Sequence, residues 1–227
     1  MARGDETCWT MVQDAAGGDR GARSVFARTY LDVVKAYLRV RWRGSLLADR
    51  LDDAVQDVFM DCFRAQGALG RVDRDHRAGF RTFLYGVVRN VALRHEERAV
   101  KRREAPPSSF STDAVPAEVD PLSRVWDKAW ARALIARAAA RQREWAERDG
   151  EPGRRRIELL KLRFREGLPI RDIADQWAID STQLHGEYRR AREEFKRALR
   201  EEVAYHNPGA PAAVEKECED LLALLRG

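Results

Sequence analysis

The chain has 227 residues, 44% of them hydrophobic and 35% charged, and its formal net charge at pH 7 is +5. This length suits two small domains, and the hydrophobic fraction suffices for packed cores, which excludes wholesale disorder. No apolar stretch approaches the roughly 20 residues that span a bilayer, no apolar signal peptide opens the chain, and three widely spaced cysteines make no disulfide framework. We therefore expect a soluble cytoplasmic protein.

The apolar residues recur with helical spacing along almost the whole chain, and no segment alternates as a strand does. Three amphipathic helices are predicted in the first half, over about residues 22–41, 51–63 and 80–103. Three such helices can bury their apolar stripes only against each other. We therefore expect a first helical domain over residues 22–104, preceded by an N-terminal extension over residues 1–21.

Residues 105–119 are rich in Pro, Ser and Ala and predict a flexible linker. A helix is predicted directly after it, with Asp120 as its N-cap and Pro121 in its first position. The helices predicted further along cover residues 154–165, 170–177 and 181–203. The sequence thus predicts an all-α protein whose second small domain covers residues 120–205. Residues 206–227 are expected to form a hinge and an acidic terminal helix, which either screens a basic helix or packs on the second domain.

Residues 170–184 have the pattern of two helices joined by a turn of about four residues, as in a helix-turn-helix motif. The spacing predicts that their shared core contains Ile173, Trp177, Ile179, Leu184 and Tyr188. Asp180 or Ser181 can cap the second helix. The exposed start of that helix would enter a DNA major groove, and the arginines after it would meet phosphates. An ordinary helical hairpin with a basic outer face shows the same pattern.

Positive charge is concentrated in two stretches, one in each half of the chain. Residues 71–103 have a balance of +6 and residues 181–200 a balance of +3, whereas residues 201–227 have a balance of −4. Two basic stretches suit a polyanion that is held at two points. Solvated arginine-rich helix faces would give a similar distribution.

Four aspartates, Asp49, Asp53, Asp57 and Asp61, lie at successive i, i+4 positions and line one edge of the second predicted helix. Each such like-charge pair costs about 0.2–0.5 kcal/mol on an isolated helix. Two explanations fit this stripe: basic side chains of the same domain neutralise it, or a basic partner protein does.

The third predicted helix combines arginines with aromatic residues. Phe83 lies on its apolar stripe and is expected in the core, whereas Tyr85 lies off the stripe. An aromatic ring beside arginines can stack on an unpaired base, which contributes about 1–3 kcal/mol per base. The polar loop over residues 71–79 suits an extruded nucleotide. For each of these residues a solvated position is the alternative.

Four segments carry a resemblance to a known family. Residues 51–59 look like the family segment DLVQEVF, and residues 80–92 are similar to FRTWLYRIARNLA. Residues 165–174 resemble EGLSYEEIA, and residues 179–192 follow the pattern that ends in RAR. In this order, with a linker between them, they resemble the extracytoplasmic-function (ECF) sigma factors of the sigma-70 family. The match covers residues 22–103 and 120–203, and the tail looks like that of a subgroup with a C-terminal extension.

The resemblance implies a sigma region 2-like domain and a sigma region 4-like domain that direct RNA polymerase to promoters. The residues implied in docking to the clamp helices of the largest polymerase subunit are Asp53, Gln56, Asp57 and Asp61. Those implied for the −10 element are Arg74, His76, Arg77, Arg81, Tyr85, Arg89 and Asn90. Those implied for the −35 element are Ser181, Thr182, Gln183, His185, Arg189, Arg190 and Arg192. The flap of the second-largest subunit and an anti-sigma factor are further partners, and neither a cofactor nor a metal is expected.

This chain departs from the family pattern at several positions. Phe83 stands where the family has Trp, Arg94 where it has Asp, and Pro169 where it has a capping Ser. Ala178 stands in place of the turn Gly, Gln183 in place of Thr, and His185 in place of a basic residue. The −35 sequence preference therefore does not carry over. An enzyme is disfavoured, because the four histidines are scattered and no Gly-rich phosphate loop is present. A stand-alone helix-turn-helix regulator leaves the aspartate stripe without a role, and a helical scaffold leaves the two basic stretches unexplained.

Overall fold

The computed structural model describes residues 8–72, 79–102, 122–206 and 210–225. Within these ranges the protein is helical, with nine α-helices, two short 3₁₀ turns and no strand. The predicted all-α class is therefore confirmed. The helices are α1 Cys8–Gly17, α2 Arg20–Arg41, α3 Leu51–Phe63, α4 Gly79–Lys101, α5 Ser123–Arg148, α6 Glu151–Phe164, α7 Ile170–Trp177, α8 Ser181–His206 and α9 Pro211–Leu224.

The described chain divides into two compact units. The first contains the residues up to Ala133, together with Tyr205, His206 and residues 219–225, and the second contains residues 134–204 and 210–218. The boundary thus falls inside α5, whereas the sequence placed it in the linker over residues 105–119. That linker, Asp120 and Pro121 lie outside the described residues.

The first unit begins earlier in the chain than predicted. Helix α1 lies in the stretch that was expected to be an extension, over residues 1–21, and it buries an apolar face with Cys8, Trp9 and Val12. The Trp9 ring meets Phe80 edge-on, with 5.8 Å between the ring centroids. Because α1 is short, its stripe is too brief to stand out as a periodic pattern.

Two tryptophans of α5 explain why its first turns belong to the first unit. Trp126 and Trp130 are 2% and 4% exposed. The Trp130 ring stacks on Tyr30 of α2 at 5.5 Å and 11°, and Trp126 meets Tyr37 edge-on at 6.1 Å. The sequence assigned this helix to the second domain because it follows the predicted linker. Periodicity shows that a helix has an apolar face, but it does not show which core that face joins.

A buried ion pair joins α2 to α4 inside the first unit. Arg41 donates from Nε and Nη2 to the two carboxylate oxygens of Glu96, at 2.6 and 2.8 Å. The indole Nε1 of Trp42 donates to the same carboxylate at 2.8 Å, and Arg41 also donates to the Tyr37 hydroxyl at 3.0 Å. Burial alone would lower the pKa of Arg41, but the hydrogen bond to Glu96 and the nearby charges raise it above its usual value.

The second unit is built on α6, α7 and α8, with most of α5 packed beside them. Its core contains Leu159, Ile170, Ile173, Ala174 and Leu184. On α5, Arg141 donates from Nη2 to Glu202 of α8 at 2.7 Å, and Gln142 donates to the Ala191 carbonyl at 2.8 Å. These contacts fix the long helix α8 against α5.

Helix α9 buries Val214, Cys218 and Leu221. Arg200 of α8 donates to Glu215 at 3.1 Å, and this hydrogen bond lowers the pKa of Glu215. Arg200 lies about two helical turns after the basic start of α8. Because Arg200 also belongs to the basic stretch over residues 181–200, the Glu215 pair fits screening, while the buried apolar face of α9 fits packing, and both roles expected for the tail stay open.

No helix in the described part of the chain is both long and apolar enough to cross a membrane. The cysteines Cys8, Cys62 and Cys218 all lie in the described residues, where they are buried and form no disulfide bond.

Candidate nucleic-acid and protein interfaces

A short left-handed turn joins α7 to α8. Ala178 ends α7 with φ 52° and ψ 43°, and the backbone N–H of Ile179 donates to the Ala174 carbonyl at 3.0 Å. Asp180 then caps α8, because its Oδ1 accepts the backbone N–H of Gln183 at 3.0 Å. Of the two caps that the sequence left open, Asp180 and Ser181, the structure shows Asp180. Together α7, the turn and α8 have the arrangement of a helix-turn-helix.

The predicted shared core of this motif is largely present. Ile173 and Leu184 are buried, and Trp177 and Tyr188 pack against them as partly buried residues. Ile179 is half-buried. Since α7 and α8 share this core, the exposed side of α8 has a fixed orientation within the motif.

The start of α8 is exposed. Among the seven residues predicted to contact the −35 element, Ser181 is half-buried, and the exposed ones are Thr182, Gln183, His185, Arg189, Arg190 and Arg192. Arg190 pairs with Glu194 at 3.4 Å, and the Arg192 guanidinium lies 5.6 Å from the centre of the Tyr188 ring. The structure therefore brings all seven to one helix end, most of them facing solvent.

A buried arginine that the sequence gave no reason to single out anchors α8. Arg156 of α6 is 2% exposed and pairs with Asp149, with Glu187 at 3.5 Å and with Glu194 at 3.0 Å. Burial alone would lower the pKa of Arg156, but hydrogen bonds to Asp149 and Glu194 raise it. In the sequence it is the last of three consecutive arginines, a run typical of a solvated face. Its carboxylate partners, two of them on α8, hold α8 against α6.

The acidic stripe of the first unit divides into two halves. On α3, a carboxylate oxygen of Asp57 lies 2.9 Å from Nε2 of His95, and Asp61 pairs with Arg94. Both partners lie on α4. Internal pairing, one of the two explanations that the sequence left open, therefore holds for Asp57 and Asp61.

The other half of the α3 surface is exposed. Asp53 and Gln56 face solvent, and so does Met60, whose side chain is 59% exposed. Positions 53, 56 and 60 lie at i, i+3 and i+7, so they share one face of α3. Met60 was not among the predicted residues, although an apolar residue off the buried stripe is itself a signal.

The prediction that Tyr85 lies off the apolar stripe of α4 is wrong. Tyr85 is 4% exposed, and its ring lies 5.5 Å from that of Tyr37 and 5.7 Å from that of Trp126. Helix α4 is covered by α5 as well as by α2, so its buried face is wider than one stripe. Phe83, which was expected in the core, is only half-buried.

The remaining residues predicted for the −10 element differ in exposure. Arg81 pairs with Asp127 of α5 at 3.5 Å, Arg89 is half-buried, and Asn90 is exposed. The other three, Arg74, His76 and Arg77, lie outside the described residues.

Across the described ranges, no group of three or more His, Cys, Asp or Glu side chains is arranged to hold a metal ion. The chain matches no protein-family model and no curated protein sequence. Fold class and local geometry are therefore the observations from which a function can be argued.

Proposed function

We propose that this protein is a sigma factor, which binds core RNA polymerase and directs it to promoters through the −35 and −10 elements. The observation that carries the proposal is the exposed, basic start of α8, held on a capped helix-turn-helix. Thr182, Gln183 and His185 offer side chains for base edges, and Arg189 and Arg192 offer charge for phosphates. A protein with this function works in the cytoplasm.

The exposed face of α3 supports the docking half of the proposal. Asp53, Gln56 and Met60 combine a charge, an amide and an exposed thioether on one helix face. Methionine is common where protein surfaces meet, because its side chain adapts to its partner. Asp57 is 40% exposed even with its partners on α4, and it extends this face. Asp61, which is 19% exposed, contributes mainly to the fold.

The −10 function rests on residues in the first half of α4. Asn90 and the partly exposed Phe83 and Arg89 offer an amide, an aromatic ring and a cation. These groups suit contact with a separated DNA strand, where stacking and phosphate contacts dominate.

A stand-alone helix-turn-helix regulator is the second candidate. The burial of Tyr85 and the internal pairing of Asp57 and Asp61 favour this candidate. They make an aromatic ring expected for −10 recognition and two carboxylates expected for docking less accessible. Such a regulator would bind duplex DNA through α8 and have no affinity for core polymerase.

Binding to core RNA polymerase in the absence of DNA separates the two candidates. We expect the wild-type chain to co-purify with core enzyme. The double variant Asp53→Arg/Gln56→Arg should bind at least about tenfold more weakly, because central interface residues often contribute 2 kcal/mol or more. The matched control is Gln13→Arg/Asp14→Arg, which makes the same charge change on the exposed side of α1 in the same unit. Equal loss in both variants would remove the docking assignment, and duplex binding without any polymerase binding would favour the regulator.

A further inference from the structure

Two consecutive residues of α5 cover two α4 residues that were expected to contact the −10 element. The indole of Trp126 lies against Tyr85, with 5.7 Å between ring centroids and 52° between ring planes. The carboxylate of the next residue, Asp127, pairs with Arg81 at 3.5 Å. All four residues belong to the first unit.

The pair Trp126–Asp127 presents the two chemical groups of a nucleotide. An indole is a planar fused bicycle of about the size of a purine, and it packs on aromatic rings as an unpaired base does. A carboxylate accepts charge-assisted hydrogen bonds from arginine, as a phosphate does. The side chains of α5 therefore make the same kinds of contact with Tyr37, Tyr85 and Arg81 that a single DNA strand would make, namely ring packing and an ion pair.

Two features of this contact indicate that Trp126 and Asp127 can be displaced by a ligand. The indole Nε1 of Trp126 is buried and has no hydrogen-bond acceptor among the described residues, and a buried donor without an acceptor weakens the contact. The Arg81 and Asp127 side chains are 35% and 32% exposed, so solvent and salt screen their attraction.

We infer that Trp126 and Asp127 occupy a binding site for one nucleotide of single-stranded DNA, and that the DNA strand displaces them. The inference rests on the proposed function and adds a self-occluded state to it. In that state Tyr85 is unavailable to a base, and binding of the strand must first expose it. The apparent affinity of the free chain for single-stranded DNA is reduced by the fraction of molecules that remain covered.

Removing the indole tests this inference. The probe is a short, end-labelled single-stranded oligodeoxynucleotide of random sequence, and the measurement is fluorescence anisotropy with the full chain. Trp126→Ala should bind at least about tenfold more tightly than wild type, because the occlusion is removed. The matched control is Trp145→Ala, which removes the same side chain from the same helix but in the second unit, where the ring packs against Arg197. It should change the affinity less than about twofold. Unchanged affinity in a folded Trp126→Ala chain overturns the inference.

The neighbouring charge gives a second, gentler variant. Asp127→Asn should tighten binding a few-fold, in keeping with a partly exposed ion pair. Arg81→Ala in the Trp126→Ala background should remove part of the gain, since the cation that meets the phosphate is then missing. If Trp126→Ala does not fold, Asp127→Asn decides, and equal affinity to wild type contradicts the inference.

Hydrogen exchange in the wild-type chain separates this inference from the proposed function. We expect the amides of residues 123–133 to exchange faster when the oligonucleotide is added, while core polymerase binding is measured on the same preparation. Unchanged exchange in a chain that binds polymerase would overturn the occlusion and leave the sigma-factor proposal intact. Faster exchange with DNA in a chain that does not bind polymerase would support the occlusion and contradict the sigma-factor proposal.

Discussion

The imidazole Nε2 of His95 lies 2.9 Å from a carboxylate oxygen of Asp57, across the interface between α4 and α3. This contact, with the Asp61–Arg94 pair one turn further on, attaches half of the acidic stripe to the fold. Asp53 of the stripe and its neighbour Gln56 are exposed and remain available to a partner. The two halves should therefore respond differently to substitution.

Asp61→Asn should lower the free energy of unfolding by about 0.5–1 kcal/mol, because it removes the charge that faces Arg94 on a partly exposed pair. Urea unfolding followed by circular dichroism measures the change. Asp53→Asn is the control, and at high salt, which screens the favourable charge of Asp53 in the first turn of α3, it should stay within about 0.3 kcal/mol of wild type, since its side chain faces solvent. Equal effects of the two substitutions would contradict the division of the stripe.

Glu96→Gln should destabilise the first unit by about 3 kcal/mol or more, because the buried Arg41 would lose its counter-charge while remaining desolvated. The shape of the side chain is kept, so lost packing does not explain the effect. Denaturant unfolding of Glu97→Gln, an exposed neighbour with the same chemical change, should match wild type. A mild effect at Glu96, comparable with that at Glu97, would show that the pair is not needed.

Two glycines in helices should give opposite results when they are changed to alanine. A Cβ at Gly153 of α6 would overlap the backbone of Ala146, so Gly153→Ala should cost about 1–3 kcal/mol. A Cβ at Gly186 of α8 meets nothing within 4 Å, so Gly186→Ala should stabilise the helix by about 0.5–1 kcal/mol. Thermal unfolding of both variants checks the pair, and a shift of Tm in the same direction for both would contradict the close approach of α5 and α6.

Ala178→Gly should raise the free energy of unfolding by about 0.5–1 kcal/mol. Ala178 has φ 52°, where a Cβ is strained and glycine is not. Ala136→Gly, at an exposed position inside α5, should lower the stability by about 1 kcal/mol instead. Calorimetry of the two variants tests the left-handed turn, which is absent if both variants are destabilised.

The thiol of Cys62 should resist alkylation in the native protein. Burial, with a smaller contribution from the charge of Asp61, raises the pKa of this thiol to about 12, and only the thiolate is nucleophilic. At pH 8 with iodoacetamide, mass spectrometry should find Cys62 unmodified in the folded chain and modified after denaturation. Rapid labelling of Cys62 in the folded chain would show that α3 opens.

The sequence was sufficient to predict the bounds and caps of helices whose apolar stripe faces a single core. Helix α7 has the predicted bounds, Ile170–Trp177, and Asp180 caps α8 as expected. These features follow from local rules, because caps and helical spacing are encoded within a few residues.

The sequence was insufficient where the outcome depends on a distant segment. Tyr85 was placed outside the core because nothing local reveals that Trp126, about forty residues later, would cover it. Arg156 gave no signal because its partners Glu187 and Glu194 lie on another helix. For the same reason the sequence could not choose between internal and external partners for Asp57 and Asp61.

Run-off transcription with purified core RNA polymerase on genomic DNA fragments tests the central proposal most directly. We expect discrete transcripts that require this chain and that disappear with Asp53→Arg/Gln56→Arg. The proposal would be contradicted if core enzyme with this chain gave the same transcripts as core enzyme alone, on every fragment and at low salt.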